Sequence, residues 1–404
     1  MKSLIKKLTT CSLLLLFFSR FILTTIPAQV ALLLLFLRKP VLPTKVYIYL
    51  LVVIIYWVTV FLTGYSNIQA QHLLFYFSFI PPLLAMFSMK LNTTTPLFIT
   101  DKFIIAICMV TILEAFLVNS PLLDYLYFFP PEGSSERVNF FGFYQRPLGI
   151  AGNASMTSIV LIFSIVLADA KNQIFSSSIS ELGIQGETKI HIFLDRQTIF
   201  LVITILVLAS GTGFGLLLLY LFTKLLAKFK LNAKFLVLFI STSAFLALLI
   251  FSSILVSEHV GDFDKFSAVY FDFIIKDKID NVIDFFENQN INILSVLFGQ
   301  QVNTSMSHAA TTGDFGFLTM YNAIGALGSA LVLSTPILFM SSLHKFFIPT
   351  IFFYLSFIHY PGLLSPPGAV LFSLYIYLLN NHSRLRNGQC ITYSITQPST
   401  RYKT

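Results

Sequence analysis

The chain has 404 residues, of which 56% are hydrophobic and 11% charged, with a formal net charge of +8. Soluble globular proteins carry about 25% charged residues, so the composition argues against a water-soluble globule and predicts a polytopic membrane protein. The positive balance does not point to nucleic acid. The basic residues sit in short segments at the ends of apolar runs, and no basic helix with an aromatic platform accompanies them.

The apolar runs are continuous rather than alternating, which predicts helices and not barrel strands. The opening MKSLIKKLTTCSLLLLFF has the look of a signal peptide. No small-x-small cleavage site follows it, however, and apolar character resumes at Phe21, so an uncleaved first span is expected. Spans are predicted at 8–19, 21–37, 45–64, 72–89, 103–118, 148–170, 198–209, 213–226, 234–256, 316–341, 346–360 and 367–380. The first two are short for about 30 Å of hydrocarbon. A single helix kinked near Arg20 and Pro27 would reduce the count by one and put the amino terminus outside. The short pair 198–209 and 213–226 is expected to join in a tight turn at Ser210-Gly211-Thr212-Gly213, where the glycines permit it.

Lys224, Lys228, Lys230 and Lys234 form the strongest basic segment, which places it inside. Counting from there leaves only Arg20, Arg137, Arg146, Lys265, Lys276 and Lys278 of the 26 basic residues on the outer side. The predicted architecture is one all-α membrane domain over 1–404, with about twelve transmembrane helices and both termini cytoplasmic. It carries an outer loop at 119–147, an inner loop at 171–197, a large outer loop at 257–315 and a cytoplasmic tail at 381–404. Cys11, Cys108 and Cys390 all fall outside the predicted outer loops, so no disulfide framework is expected. No internal repeat is apparent.

The two outer loops hold most of the usable chemistry. In the first, aromatic residues crowd around Pro130, Pro131, Gly133 and Gly142, ordinary behaviour at a membrane–water boundary. Arg146 abuts Pro147, Gly149, Gly152 and Asn153 at the mouth of a span. A guanidinium there suits bidentate phosphate binding, or equally an interfacial snorkelling role. Arg137 lies further out in its loop, beside Glu136. Glu114 falls near the outer end of the fifth span: an intramembrane carboxylate is a functional candidate, an interfacial one less so.

The large outer loop opens with SEHVGDFDKFSAVYFDFIIKDKIDNVIDFFENQ, in which Phe263, Phe266, Tyr270, Phe273, Ile274, Ile279 and Val282 recur at near-helical spacing. That pattern predicts an amphipathic helix or a pair of them on the outer leaflet. Its charges read as a solvated face, or as Lys265, Lys276 and Lys278 steering an anionic head group. Leu297-Phe298-Gly299 is expected to pack back towards the bilayer. The loop ends in GDFGFLTMYNAIGALG, with Asp314 between glycines at the start of a helix. Asp314 reads as a helix cap or as a base. His308, six residues earlier, is a second candidate proton acceptor and has no partner at metal-ligand spacing.

In order and spacing these features resemble the O-antigen polymerase and ligase superfamily of bacterial envelope glycosyltransferases. The likeness runs over roughly 120–345 and rests on RPLGIAGN (Arg146 to Asn153), LASGTGFG around Ser210, the Leu-Phe-Gly, and GDFGFLTMYNAIGALG. The resemblance implies a GT-C-like all-α fold in the bacterial inner membrane and a metal-independent, inverting glycosyl transfer at the periplasmic face, with no cofactor. It implies an undecaprenyl-diphosphate-linked oligosaccharide as donor, a second lipid-linked repeat unit as acceptor, membrane lipids as surroundings, and room for a chain-length regulator. Carried onto this chain, Arg146 and Arg137 would neutralise the diphosphate, and Asp314 or His308 would take the acceptor proton. Gly149, Asn153, Lys265, Lys276, Lys278 and Ser210 would contribute to substrate binding. The large loop departs from the family in having no arginine, since Arg384 is the next after Arg196. An O-antigen ligase of the same architecture and a lipid-linked oligosaccharide flippase are the competing readings.

Overall fold

The computed structural model describes residues 11–16, 28–33, 42–62, 73–88, 101–118, 139–140, 144–145, 147–181, 196–228, 293–299, 316–339 and 347–386. Over these residues the protein is helical. The helices are α1 (Thr44–Leu62), α2 (Ile80–Ser88), α3 (Asp101–Val118), α4 (Ala154–Glu181), α5 (Arg196–Leu208), α6 (Gly211–Lys228), α7 (Ile293–Phe298), α8 (Gly316–Phe339), α9 (Phe347–Leu355) and α10 (Pro366–Arg386). Among the described residues one strand pair occurs, Asn139–Phe140 against Tyr144–Gln145, antiparallel.

Among the described residues two helices, α1 and α8, are long and apolar enough to cross a membrane. In α1, Val46, Tyr49, Val53, Tyr56 and Val60 recur at spacings of three and four and are buried. The opposite face leaves Ile48, Leu51, Ile54, Ile55, Val58 and Leu62 exposed. A continuous apolar face of that kind is unfavourable against water.

The buried centre is built from α4 and α10. Phe163 meets Tyr375 edge-on at 5.6 Å, and Phe353 of α9 lies 4.7 Å from Phe372. α4 and α6 run in the same direction, because Ser158 faces Gly213 near their starts and Asp169 meets Tyr220 and Lys224 further along. Asp169 accepts from the Tyr220 hydroxyl at 2.9 Å and pairs with the Lys224 ammonium at 3.0 Å. α2 lies alongside α10 in the same sense, through Phe79 with Phe372 and Phe87 with Tyr377. α1 runs opposite to α8: the Tyr49 hydroxyl donates to Leu331 O at 3.2 Å and the Tyr56 hydroxyl to Ile324 O at 2.6 Å.

Five local features differ from the sequence expectations, the first being that α9, expected over 346–360, ends at Leu355 and gives way to a turn. The predicted span 72–89 is divided: a helical stretch at 73–76, a turn at 77–79, then α2. Pro81 and Pro82 explain this, since proline in a helix interior removes an N–H and clashes with the preceding turn. α4 begins at Ala154 rather than at 148 and continues to Glu181, inside the segment expected as a linker. No glycine or proline interrupts it before Gly183.

The turn between α5 and α6 does not use its glycines as expected. The left-handed residue there is Ala209, at φ 46°, while Gly211 and Gly213 lie within α6. Gly213 serves close packing instead: a Cβ there would sit 2.6 Å from Ser158 Oγ. Finally, α8 is interrupted at Gly325, with φ 65° and ψ −177°. The end of α7 fills that break, with Phe298 buried and a Cβ on Gly325 falling 2.4 Å from Leu297 C and O and from Gly299 N. The predicted span 234–256, the amphipathic stretch that follows it, the segment 387–404 and most of 1–41 lie outside the described residues.

Candidate functional site

The site is a tight turn at the head of α4, within the sequence RPLGIAGN. Gly149 and Gly152 take left-handed conformations, φ 71° and 76°, and Gly152 N donates to Gly149 O at 3.2 Å. These conformations are cheap only for glycine. Asn153 then starts α4, its Oδ1 accepting from Ser155 N at 2.8 Å and Met156 N at 3.4 Å. Asparagine is among the best residues for this capping, because its short side chain reaches the otherwise orphaned first amides.

Thr157 ties the turn back onto the helix. Its hydroxyl donates to Leu148 O at 2.6 Å and accepts from Ala151 N at 3.1 Å. It fills the space beside Gly149 so closely that a Cβ there would lie 2.4 Å from Thr157 Cγ2. From the other side α3 contributes Glu114, only 3% exposed. Its Oε2 accepts from Gly149 N at 2.8 Å and its Oε1 from Leu148 N at 3.3 Å. A buried polar group without partners is costly. Here the carboxylate and the backbone amides answer each other.

Two further turns meet the first. Ser210, just before α6, lies 3.1 Å from Ser155, hydroxyl to hydroxyl, and accepts from Gly213 N at 3.2 Å. The connector between α9 and α10 lies against the first turns of α4, where a Cβ on Gly362 would come within 3.2 Å of Met156 Cα. The same connector receives the head of α8: Phe317 N donates to Phe357 O at 3.0 Å, and Gly316 approaches Phe357 O and Pro361 N. The starts of α4, α6, α8 and α10 and the end of α3 are therefore gathered at one end of the helical assembly.

Of the residues expected to matter, Gly149, Asn153 and Ser210 are described and belong to this cluster. Gly149 shapes the turn, Asn153 caps the helix, and Ser210 joins the second turn to the first through Ser155. Arg146 directly precedes Pro147 in sequence, and Asp314 precedes Gly316 by two residues. Arg146, Asp314, His308, Arg137, Lys265, Lys276 and Lys278 lie outside the described residues. The structure brings Glu114, a candidate already from its charge, into the cluster and adds Ser155 and Thr157. Ser155 and Thr157 had a weak signal in the run ASMTS after Asn153, which is more hydroxylic than an ordinary apolar span. Glu114 had the signal of its charge, but its partners are backbone groups from 34 and 35 residues away, which no side-chain pattern announces. No protein-family model, curated protein or solved structure matches this chain.

Proposed function

We propose that the protein polymerises lipid-linked oligosaccharide repeat units at the outer face of a bacterial inner membrane, with about twelve membrane-spanning helices. The observation that carries this reading is that the first turns of α4, directly after residues 147–153, adjoin the Ser210 turn through Ser155 and, by way of the α9–α10 connector, the head of α8. These are three of the segments on which the resemblance to the polymerase and ligase superfamily rests. The directions of α1 against α8, and of α4 with α6, agree with an alternating path through a bilayer.

In the proposed reaction an acceptor sugar hydroxyl attacks the anomeric carbon of the donor glycan. The bond from that carbon to the undecaprenyl diphosphate oxygen breaks with inversion. Asp314 or His308 takes the hydroxyl proton, and Arg146, with Arg137, stabilises the charge that develops on the departing diphosphate. Lys265, Lys276 and Lys278 supply attraction for the anionic lipid as point charges, without the bidentate geometry of arginine.

Arg146→Ala tests this directly. The expected outcome is loss of long-chain polymer with protein level and membrane insertion intact, and normal chain lengths would remove Arg146 from the site. A deletion strain separates the competing classes. Loss of a polymerase leaves a single repeat unit on the surface lipid, loss of a ligase leaves none, and loss of a flippase strands the precursor inside. The flippase reading has one observation in its favour, the interruption of α8 at Gly325, since discontinuous helices are common in transporters.

A further inference from the structure

Several hydroxyl side chains in these helices donate to a carbonyl about one turn back. Thr111 donates to Ile107 O and Ser158 to Ala154 O, and within α8 itself Thr335 donates to Val332 O. Ser329 departs from this habit. It is 8% exposed, and its Oγ has no hydrogen-bond partner among the described residues. The residue four positions back is Gly325, whose ψ of −177° swings its carbonyl out of the helical path. The break in α8 has therefore removed the acceptor that a serine at 329 ordinarily uses. A second buried polar atom, Nε1 of Trp57 on α1, likewise has no partner among the described residues.

The two atoms belong to one place. The Tyr56 hydroxyl donates to Ile324 O at 2.6 Å, and a Cβ on Gly328 would lie 2.5 Å from the same hydroxyl oxygen, so α1 and α8 touch at this level. Each residue of an α-helix is turned about 100° from the last. In two antiparallel right-handed helices, the residue after Tyr56 and the residue after Gly328 therefore turn to the same side of the contact. Those residues are Trp57 and Ser329. Phe77 stands edge-on to the Trp57 ring at 5.9 Å and Phe298 stacks on Tyr56 at 6.0 Å, so the surroundings are apolar and an unpaired donor there is costly. We propose that the break in α8 holds an internal water molecule that joins Trp57 to Ser329. Water accepts from the indole N–H, shares a bond with the Ser329 hydroxyl, and donates to Tyr56 Oη, whose own proton goes to Ile324 O. About three partners are usual for a buried water. A metal cation does not suit this set, because Nε1–H only donates and turns a positive hydrogen towards it. The water site is independent of the polymerase reading.

Trp57 is the only tryptophan of the chain, so an indole signal reports on this site alone. The test uses the full-length protein in detergent, with an isotope-labelled indole nitrogen and water itself as the probe. In the magnetic resonance spectrum the Nε1–H signal is expected at a hydrogen-bonded position, with magnetisation transfer from a long-lived water. Ser329→Ala should lose that transfer and move the signal towards that of a free indole. A free indole in the wild type, or a transfer that Ser329→Ala leaves untouched, overturns the proposal. Melting temperatures supply a second readout. Trp57→Phe and Ser329→Ala each remove a partner of the same water, so the second substitution should shift the melting temperature less in the presence of the first. Shifts that simply add would put the two groups at separate places and overturn the shared site. Exchanging choline chloride for sodium chloride should leave the wild-type melting temperature unchanged. A rise that grows with sodium concentration would mean a bound cation and overturn the water. If Trp57→Phe does not accumulate, the indole spectra of the wild type and Ser329→Ala decide by themselves.

Discussion

Gly325→Ala is the sharpest test of how α8 and α7 are joined. Gly325 combines φ 65° with ψ −177°, a region that residues with a Cβ scarcely enter. That strain alone is worth about 1–3 kcal/mol. The added methyl would also stand 2.4 Å from Leu297 C and O and from Gly299 N, all backbone atoms. No rotamer change can relieve such a contact, so the segment Leu297–Gly299 must move by roughly 1 Å, and overpacking of this kind costs about 1–3 kcal/mol more. The sum is about 2–6 kcal/mol. The assay is thermal unfolding of the purified protein in detergent, read by the loss of its monodisperse chromatographic peak. Gly215→Ala is the matched control, because nothing lies within 4 Å of a Cβ there and Gly215 sits within α6. It should be neutral or stabilising by up to about 1 kcal/mol. If Gly325→Ala melts with the wild type, or together with Gly215→Ala, the break in α8 and its docking on α7 are refuted.

Tyr56→Phe keeps the ring that packs on Phe77 and Phe298 but removes the hydroxyl that donates to Ile324 O at 2.6 Å, beside the break. A loss of about 1–2 kcal/mol is expected, larger than for Tyr49→Phe, whose bond is 3.2 Å and only partly buried; equal losses would contradict the geometry. Asp314→Asn divides the roles open to that residue. As a base, Asp314 cannot be replaced, and polymer should vanish while the protein still accumulates. As a cap, the change should be silent, because asparagine caps about as well as aspartate.

Much of the architecture was legible from local patterns. The apolar runs predicted α1, α3, α5, α6, α8 and α10 to within a few residues, except that α10 runs on to Arg386. Long helices are set by residues in their own turns, and those are neighbours in sequence. The misplaced start of α4 shows where that reasoning ends. Residues 148–153 are apolar enough to continue a span, yet they form a turn because Glu114 and Thr157 supply better partners for their amides and carbonyls than another helical turn would. The α5–α6 corner makes the same point. Its glycines looked like the hinge, but Ala209 bends and Gly213 is small because Ser158 lies against it.

The candidate site divides in the same way. That RPLGIAGN and the Ser210 turn are unusual was visible in their glycines, asparagine and serine. That the first turn of α4 touches the Ser210 turn through Ser155, and that the head of α8 joins them through the α9–α10 connector, was not. Composition and periodicity decide which stretches become helices, because hydrogen bonding within a helix is local and apolar burial is indifferent to the identity of the neighbour. Which helix ends meet depends on pairings between residues tens to hundreds of positions apart, such as Glu114 with Gly149 and Tyr56 with Ile324. Those bonds form between a side chain and a backbone group, so only the folded chain reveals them.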